Sequence, residues 1–256
     1  MADLDVTRRD EIAIITLNRP KALNALSFQL VRDIDAALDA VAASDARAVI
    51  FTGAGDKSFC AGADIKELQG LTLSNQKRTT TFGQRVFARL DDFPLLSIAA
   101  INGYAFGGGM ELASACTFRV AAPNAKMGLP EIKLGLIPGY GGTQRLGRLI
   151  GQARALDIIM SGRTVEVAEA ERIGMVNAVI DGDLMDGAIA YARRFTQYGL
   201  PALSLAREAV MRASETPLDE GLKAEADLNT LAFQTADAKE GMAAFTEKRK
   251  ADFKDV

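Results

Sequence analysis

A chain of 256 residues, 48% hydrophobic and 25% charged, has the composition of an ordinary globular protein with enough length for one large core or a core with an appendage. Its formal charge of −3, without a long block of like charge, gives no electrostatic footing for nucleic acid or a membrane surface. It contains no histidine, which excludes Ser-His-Asp and Cys-His triads, HExxH metal sites and an imidazole base.

The first residues carry neither a signal nor a transit pattern, and a strand is expected at "EIAIITL" (11–17). "NRPKALNAL" follows as a turn-rich loop. Ser27 then reads as the N-cap of a helix with Phe28, Val31, Ile34, Leu38 and Val41 on one face. "AVIFTG" (48–53) is a short buried strand closed by a glycine turn. In "FCAGADIKEL" (59–68), four small residues precede a helix with Asp64 in its first turn, a favourable place for an anion.

A second round places a helix around 76–91 and a strand around 95–101. "INGYAFGGGMEL" (101–112) comes next, with Glu111 on a short helix opening from the glycines. Phe93–Met110 is uncharged over 18 residues, but Pro94, Ser97, Asn102 and four glycines interrupt it, so it reads as a buried strand and loop rather than a membrane span. "TFRVAAP" (117–123) is a further strand. Glu131 lies in "MGLPEIKLGLIPGYGGTQRL", a loop broken by prolines and glycines ahead of another helix.

Alternation of strand and helix favours an α/β fold with largely parallel pairing. After about residue 197, three helical segments run without a strand between them, which divides the chain into a core, 1–196, and a helical subdomain, 197–256. Cys60 and Cys116 form neither a CxxC pair nor a metal-ligand spacing, which suits a reducing compartment such as the cytoplasm.

Chemistry concentrates in three places. Gly107, Gly108 and Gly109 let backbone N–H groups approach a ligand closely, and the helix they open adds a partial positive charge. Ala63, among small residues, belongs either to a βα loop packed against the core or to a second exposed amide beside Lys66, and the motif alone does not choose. Glu111 and Glu131 sit in apolar, glycine- or proline-shaped surroundings with little nearby positive charge, a setting that raises a carboxyl pKa and allows two acids to divide acid and base roles. Cys116 reads as a buried small residue, Tyr140 as a loop aromatic covering apolar surface or else lining the pocket, and "EKRKADFK" as a solvated helix face or else a phosphate contact.

Together "FCAGADIKEL", "INGYAFGGGMEL", "LPEIKLGLIPGYGGTQRL" and "FTEKRKADF" resemble the enoyl-CoA hydratase branch of the crotonase superfamily, in order and over nearly the whole chain. The resemblance implies a crotonase-like spiral of repeated ββα units, a C-terminal helical trimerisation region and assembly as a trimer or dimer of trimers. It implies a coenzyme A thioester as substrate, no separate cofactor and no metal. Ala63 and Gly108 match the oxyanion-hole amides, and Glu111 and Glu131 the catalytic pair. Ala61, Ala63, Asp64, Ile65, Lys66, Gly108 and Gly139 match positions along the bound CoA thioester. The implied reaction is hydration of a 2-trans-enoyl-CoA in fatty acid or related acyl-CoA degradation. Isomerases and other lyases on this scaffold often change one or both acids. A non-catalytic acyl-CoA-binding scaffold is the alternative from another class.

Overall fold

The computed structural model describes residues 3–256, which divide into two compact units between Ala190 and Tyr191. The boundary expected at 196/197 lies at the end of the helix that crosses this division.

The first unit opens with β1 (Leu4–Arg9) and β2 (Ile12–Leu17), then α1 (Phe28–Ala42). Three ββα rounds follow. The first is β3 (Ala48–Gly53), β4 (Ser58–Cys60), α2 (Ile65–Leu68) and α3 (Leu73–Ala88). The second is β5 (Leu96–Ile101), β6 (Tyr104–Phe106) and α4 (Gly108–Ala115). The third is β7 (Phe118–Ala121), β8 (Lys126–Gly128), a 3₁₀ turn over Glu131–Leu134 and α5 (Gly142–Ile150). The chain continues through α6 (Gln152–Ser161), β9 (Val165–Glu166), α7 (Val167–Arg172) and β10 (Ala178–Val179) into α8 (Leu184–Thr196).

In each round the first strand enters one sheet and the second enters another. The six-stranded sheet has the order β1-β2-β3-β5-β7-β10, parallel except for β1, and the four-stranded sheet has the order β4-β6-β8-β9, parallel except for β9. Every residue of β5 is buried, as are five of six in β2 and in β3, the continuous apolar runs that a sheet covered on both faces requires. Ser27 caps α1 by accepting from the Leu30 N–H at 3.1 Å, and Leu30, Val31, Ile34, Ala37, Leu38 and Val41 form its buried face.

Two features of "INGYAFGGGMEL" position the site. Asn102 turns the chain from the large sheet into the small one. Its amide donates to the carbonyls of Gly53 and Gly55 at 2.9 and 2.7 Å, and its oxygen accepts from the Gly53 N–H at 3.1 Å. Gly109 lets α4 lie directly on β4, because a Cβ there would stand 2.0 Å from the carbonyl oxygen of Cys60. Backbone on backbone, this contact brings the start of α4 beside the loop that follows β4.

The strand–helix alternation expected from the sequence was too simple. It lacked β1 and the short second strands β4, β6 and β8, which at three residues carry no readable alternation of their own. Glu131 opens a 3₁₀ turn rather than lying in open loop, and α3 begins and ends about one turn earlier than the expected 76–91.

The second unit contains α9 (Leu200–Arg212), α10 (Leu218–Ala232) and α11 (Ala236–Glu247), as the sequence suggested. The expected helix through "FTEKRKADF" stops short: Lys248 takes the left-handed conformation at φ 56°, and the tail turns back. Buried Asp237 holds it, accepting from the N–H groups of Lys254 and Asp255 at 2.7 and 2.9 Å.

Candidate active site

The loop after β4 pairs with the chain before α1 through a single parallel bridge, Leu26 with Ala63. Leu26 N–H donates to Gly62 and Asp64 N–H donates back to Leu26, at 2.8 Å each. In this pattern the bridging residue's own N–H points to the opposite side, and there Ala63 lines a cavity of about 650 Å³. Gly108 is the first residue of α4, so its N–H has no intrahelical acceptor and projects from the helix start into the same cavity. The two groups are close: a Cβ on Gly108 would stand 3.5 Å from the Ala63 nitrogen. Gly107 turns the chain into α4 at φ 51°, a conformation glycine adopts without strain, while its own N–H is spent on the Gly128 carbonyl at 3.0 Å.

Glu111 and Glu131 both line this cavity. Glu111 is 2% exposed, and its Oε1 accepts from the N–H groups of Tyr140 at 2.7 Å and Gly142 at 2.8 Å. Burial, opposed by these two donors and reinforced by the charge of Glu131, pushes its pKa up to about 7. Glu131 lies against the glycine turn, its Oε1 placed 3.1 Å from where a Gly107 Cβ would be. Its Oε2 is buried without a hydrogen-bond partner, and burial raises its pKa as well. A carboxyl oxygen left this way calls for a proton or a ligand.

The electrostatics of Glu111 carry a stability signature. A carboxyl with a folded-state pKa above its unfolded value supports the fold while protonated and loses that support as pH rises to the folded pKa. The thermal midpoint of Glu111→Gln minus that of the parent should therefore climb between about pH 5 and pH 7 and then level off. A difference independent of pH over that window would show that Glu111 ionises as an ordinary carboxylate.

Of the residues singled out from the sequence, Ala61, Ala63, Ile65, Gly108, Glu111, Glu131 and Gly139 line the cavity, while Asp64 and Lys66 do not. Asp64 caps α2, accepting from the Lys66 N–H at 3.3 Å, and pairs with Arg19 at 3.0 Å. Tyr140 does more than cover apolar surface, because its backbone N–H holds Glu111. Sequence reasoning missed Gly142, the second donor, although "GYGGTQ" signalled another glycine-opened helix. It also missed Arg145, whose charge reaches Glu111 and modestly opposes the rise in its pKa. No group of three or more potential metal-ligating side chains stands together among the described residues.

A family model described as enoyl-CoA hydratase/isomerase matches residues 7–256. A probable enoyl-CoA hydratase of Rhizobium meliloti is 47% identical over 97% of this chain and 96% of its own length. A crotonyl-CoA hydratase of Syntrophomonas wolfei is 43% identical over 96% of this chain and 95% of its own length. Among solved structures, the 1.8 Å crystal structure of an enoyl-CoA hydratase from Bacillus anthracis superposes with a TM-score of 0.95, at 38% identity and full coverage of both chains.

Proposed function

The chain belongs to the enoyl-CoA hydratase/isomerase family and has the crotonase fold, and from that premise we propose that it is a hydro-lyase adding water across the double bond of a 2-trans-enoyl-CoA to give a 3-hydroxyacyl-CoA. The observation that carries this reading is the convergence of two free main-chain donors and two carboxyls on one cavity. Attack of water at Cβ drives electron density onto the thioester oxygen. The N–H groups of Ala63 and Gly108 receive that oxygen, with the start of α4 adding its partial positive charge.

Glu111 acts as base toward the water. Two backbone donors on Oε1 orient it and favour its ionised form, and Oε2 remains to accept the proton. Glu131 delivers the proton to Cα, a role suited to a carboxyl whose Oε2 is buried without a hydrogen-bond donor. The apolar Leu134, Leu136 and Ile137 line the same cavity and suit an acyl chain.

Assembly through the helical unit belongs to this reading, as a trimer or a dimer of trimers in the cytoplasm. It is supported by the exposed Val210, Leu218, Leu231, Phe233 and Phe245, more apolar surface than a solvated three-helix unit needs. No helix among the described residues is long and apolar enough to cross a membrane.

The test is a panel of 2-trans-enoyl-CoA chain lengths, with loss of the conjugated thioester absorbance followed and the product identified. A 3-hydroxyacyl-CoA product is expected. Migration of the double bond in a 3-enoyl-CoA without hydration would make the chain an isomerase, and binding without turnover would make it a scaffold.

A further inference from the structure

Glu111 takes its two hydrogen bonds from the Tyr140–Gly142 turn, and the conformation of that turn depends on what fastens it. Three ties reach it. The ring of Tyr140 lies in a notch on α3 that exists only because residue 83 is glycine. A Cβ there would stand 2.4 Å from Tyr140 Cε1 and 2.7 Å from Cδ1 and Cζ. The ring also meets Phe87, one helical turn on, edge to face at a centroid distance of 5.4 Å. Gln84, the next residue of α3, donates its side-chain amide to the Gly139 carbonyl at 2.8 Å. From the other side Arg145, paired with Asp91 at 2.5 Å, reaches the Tyr140 carbonyl at 3.3 Å.

These contacts fall at Gly139 and Tyr140, on either side of the first N–H group that holds Glu111, and none of them is made by the carboxyl itself. We infer that Gly83 and Gln84 of α3 are positioning residues for the reaction, seating the Tyr140 ring and the Gly139 carbonyl so that the turn presents both donors to Glu111. The inference rests on the hydratase reading only for its kinetic consequence; the geometry concerns the orientation of one carboxyl. The oxyanion amides stand on other segments, the loop after β4 and the start of α4, and do not depend on this seat.

The groups facing Glu111 decide what a disturbed seat does to its ionisation. They are Glu131 from the 3₁₀ turn, Arg145 from α5 and the phenol of Tyr140. Arg119 of β7 donates to the carbonyls of Ala113 and Cys116 at the far end of α4, and Arg85 of α3 lies over the Phe82 ring. Lys133 of the 3₁₀ turn also lines the cavity, but Arg145 is the positive charge that acts on Glu111 among the described residues. Turning the N–H groups away therefore leaves the ionised carboxylate less favoured.

The experiment uses the full chain with Gly83→Ala, whose methyl group must displace the ring, and Gln84→Ala, which removes one tie and adds no volume. Ionisation of Glu111 is read directly from the infrared carboxylate bands, as the difference between each protein and its Glu111→Gln counterpart across pH. The midpoint should move upward by about one pH unit in Gly83→Ala and by less in Gln84→Ala. In steady-state hydration, Gly83→Ala should lose about tenfold in kcat with KM little changed. A merely structural role would lower the thermal midpoint without moving the carboxylate titration, and an unmoved titration in both folded variants overturns the inference. If the titration moves but the parent does not hydrate enoyl-CoA, the positioning role stands and the hydratase reading falls.

Discussion

Glu131→Gln is expected to fold as the parent does and to lose about 10²–10⁴-fold in turnover. The substitution preserves shape and removes only the ability to exchange a proton. Its structural cost is small because Glu131 Oε2 has no hydrogen-bond partner to lose, and no ion pair among the described residues holds the side chain. An amide in that place also removes the burden of a buried ionisable group, so the thermal midpoint should hold or rise. Binding of the thioester should persist, since the donors from Ala63 and Gly108 are untouched. Loss of turnover with retained substrate binding is the pattern of an interaction made only in the transition state. Unchanged turnover would remove Glu131 from the chemistry.

Gly108→Ala should be worse for catalysis than its single methyl group suggests. Residue 108 is helical, so alanine meets no backbone penalty there, and the nearest atom, Leu26 Cδ1 at 3.0 Å, is the movable end of a side chain. The next is the Ala63 nitrogen at 3.5 Å. In the proposed oxyanion hole the methyl group would crowd the space an oxygen must enter to reach both amides at donor distances of about 2.7–3.1 Å. Loss of a single such donor typically costs about 2.7–4 kcal/mol of barrier stabilisation, and here both are obstructed. A fall in kcat of about 10²–10³-fold or more is expected, with a circular dichroism spectrum like the parent's. Gly109 offers the contrast. A methyl group there meets the Cys60 carbonyl oxygen at 2.0 Å, backbone against backbone, and would disturb the packing of α4 on β4. Activity equal to the parent's in Gly108→Ala would mean that the two amides do not share an acceptor.

Much of this site could be seen in the chain before any coordinates. The glycine triplet and the small residues around Ala63 are local features, and residues of both line the cavity once the chain is folded. Long apolar runs such as "AVIFTG" and "EIAIITL" likewise declare buried strands. What stayed hidden is what depends on distant parts of the chain. The three-residue strands β4, β6 and β8 exist because neighbouring rounds of the fold supply their partners. Arg145 and Gly142 resemble any residues of a surface helix until folding brings them beside Glu111, 34 and 31 positions earlier in the chain. Gly83 stands in the middle of α3, and its purpose appears only with the Tyr140 ring against it. Asp64 and Lys66 sit within the same telling motif, and folding adds what the chain did not show: Asp64 caps α2 and pairs with Arg19, and neither residue lines the cavity.

The proposed grip of Ala63 and Gly108 on a thioester oxygen is most directly tested by the carbonyl stretching band of a bound 2-trans-enoyl-CoA, recorded in Glu131→Gln so that the substrate persists. The band should shift to lower wavenumber on binding, as two donors draw electron density onto oxygen, and the shift should vanish when Gly108→Ala is added. A bound carbonyl band at its solution position, or one equally shifted with and without Gly108→Ala, would contradict the proposed oxyanion hole.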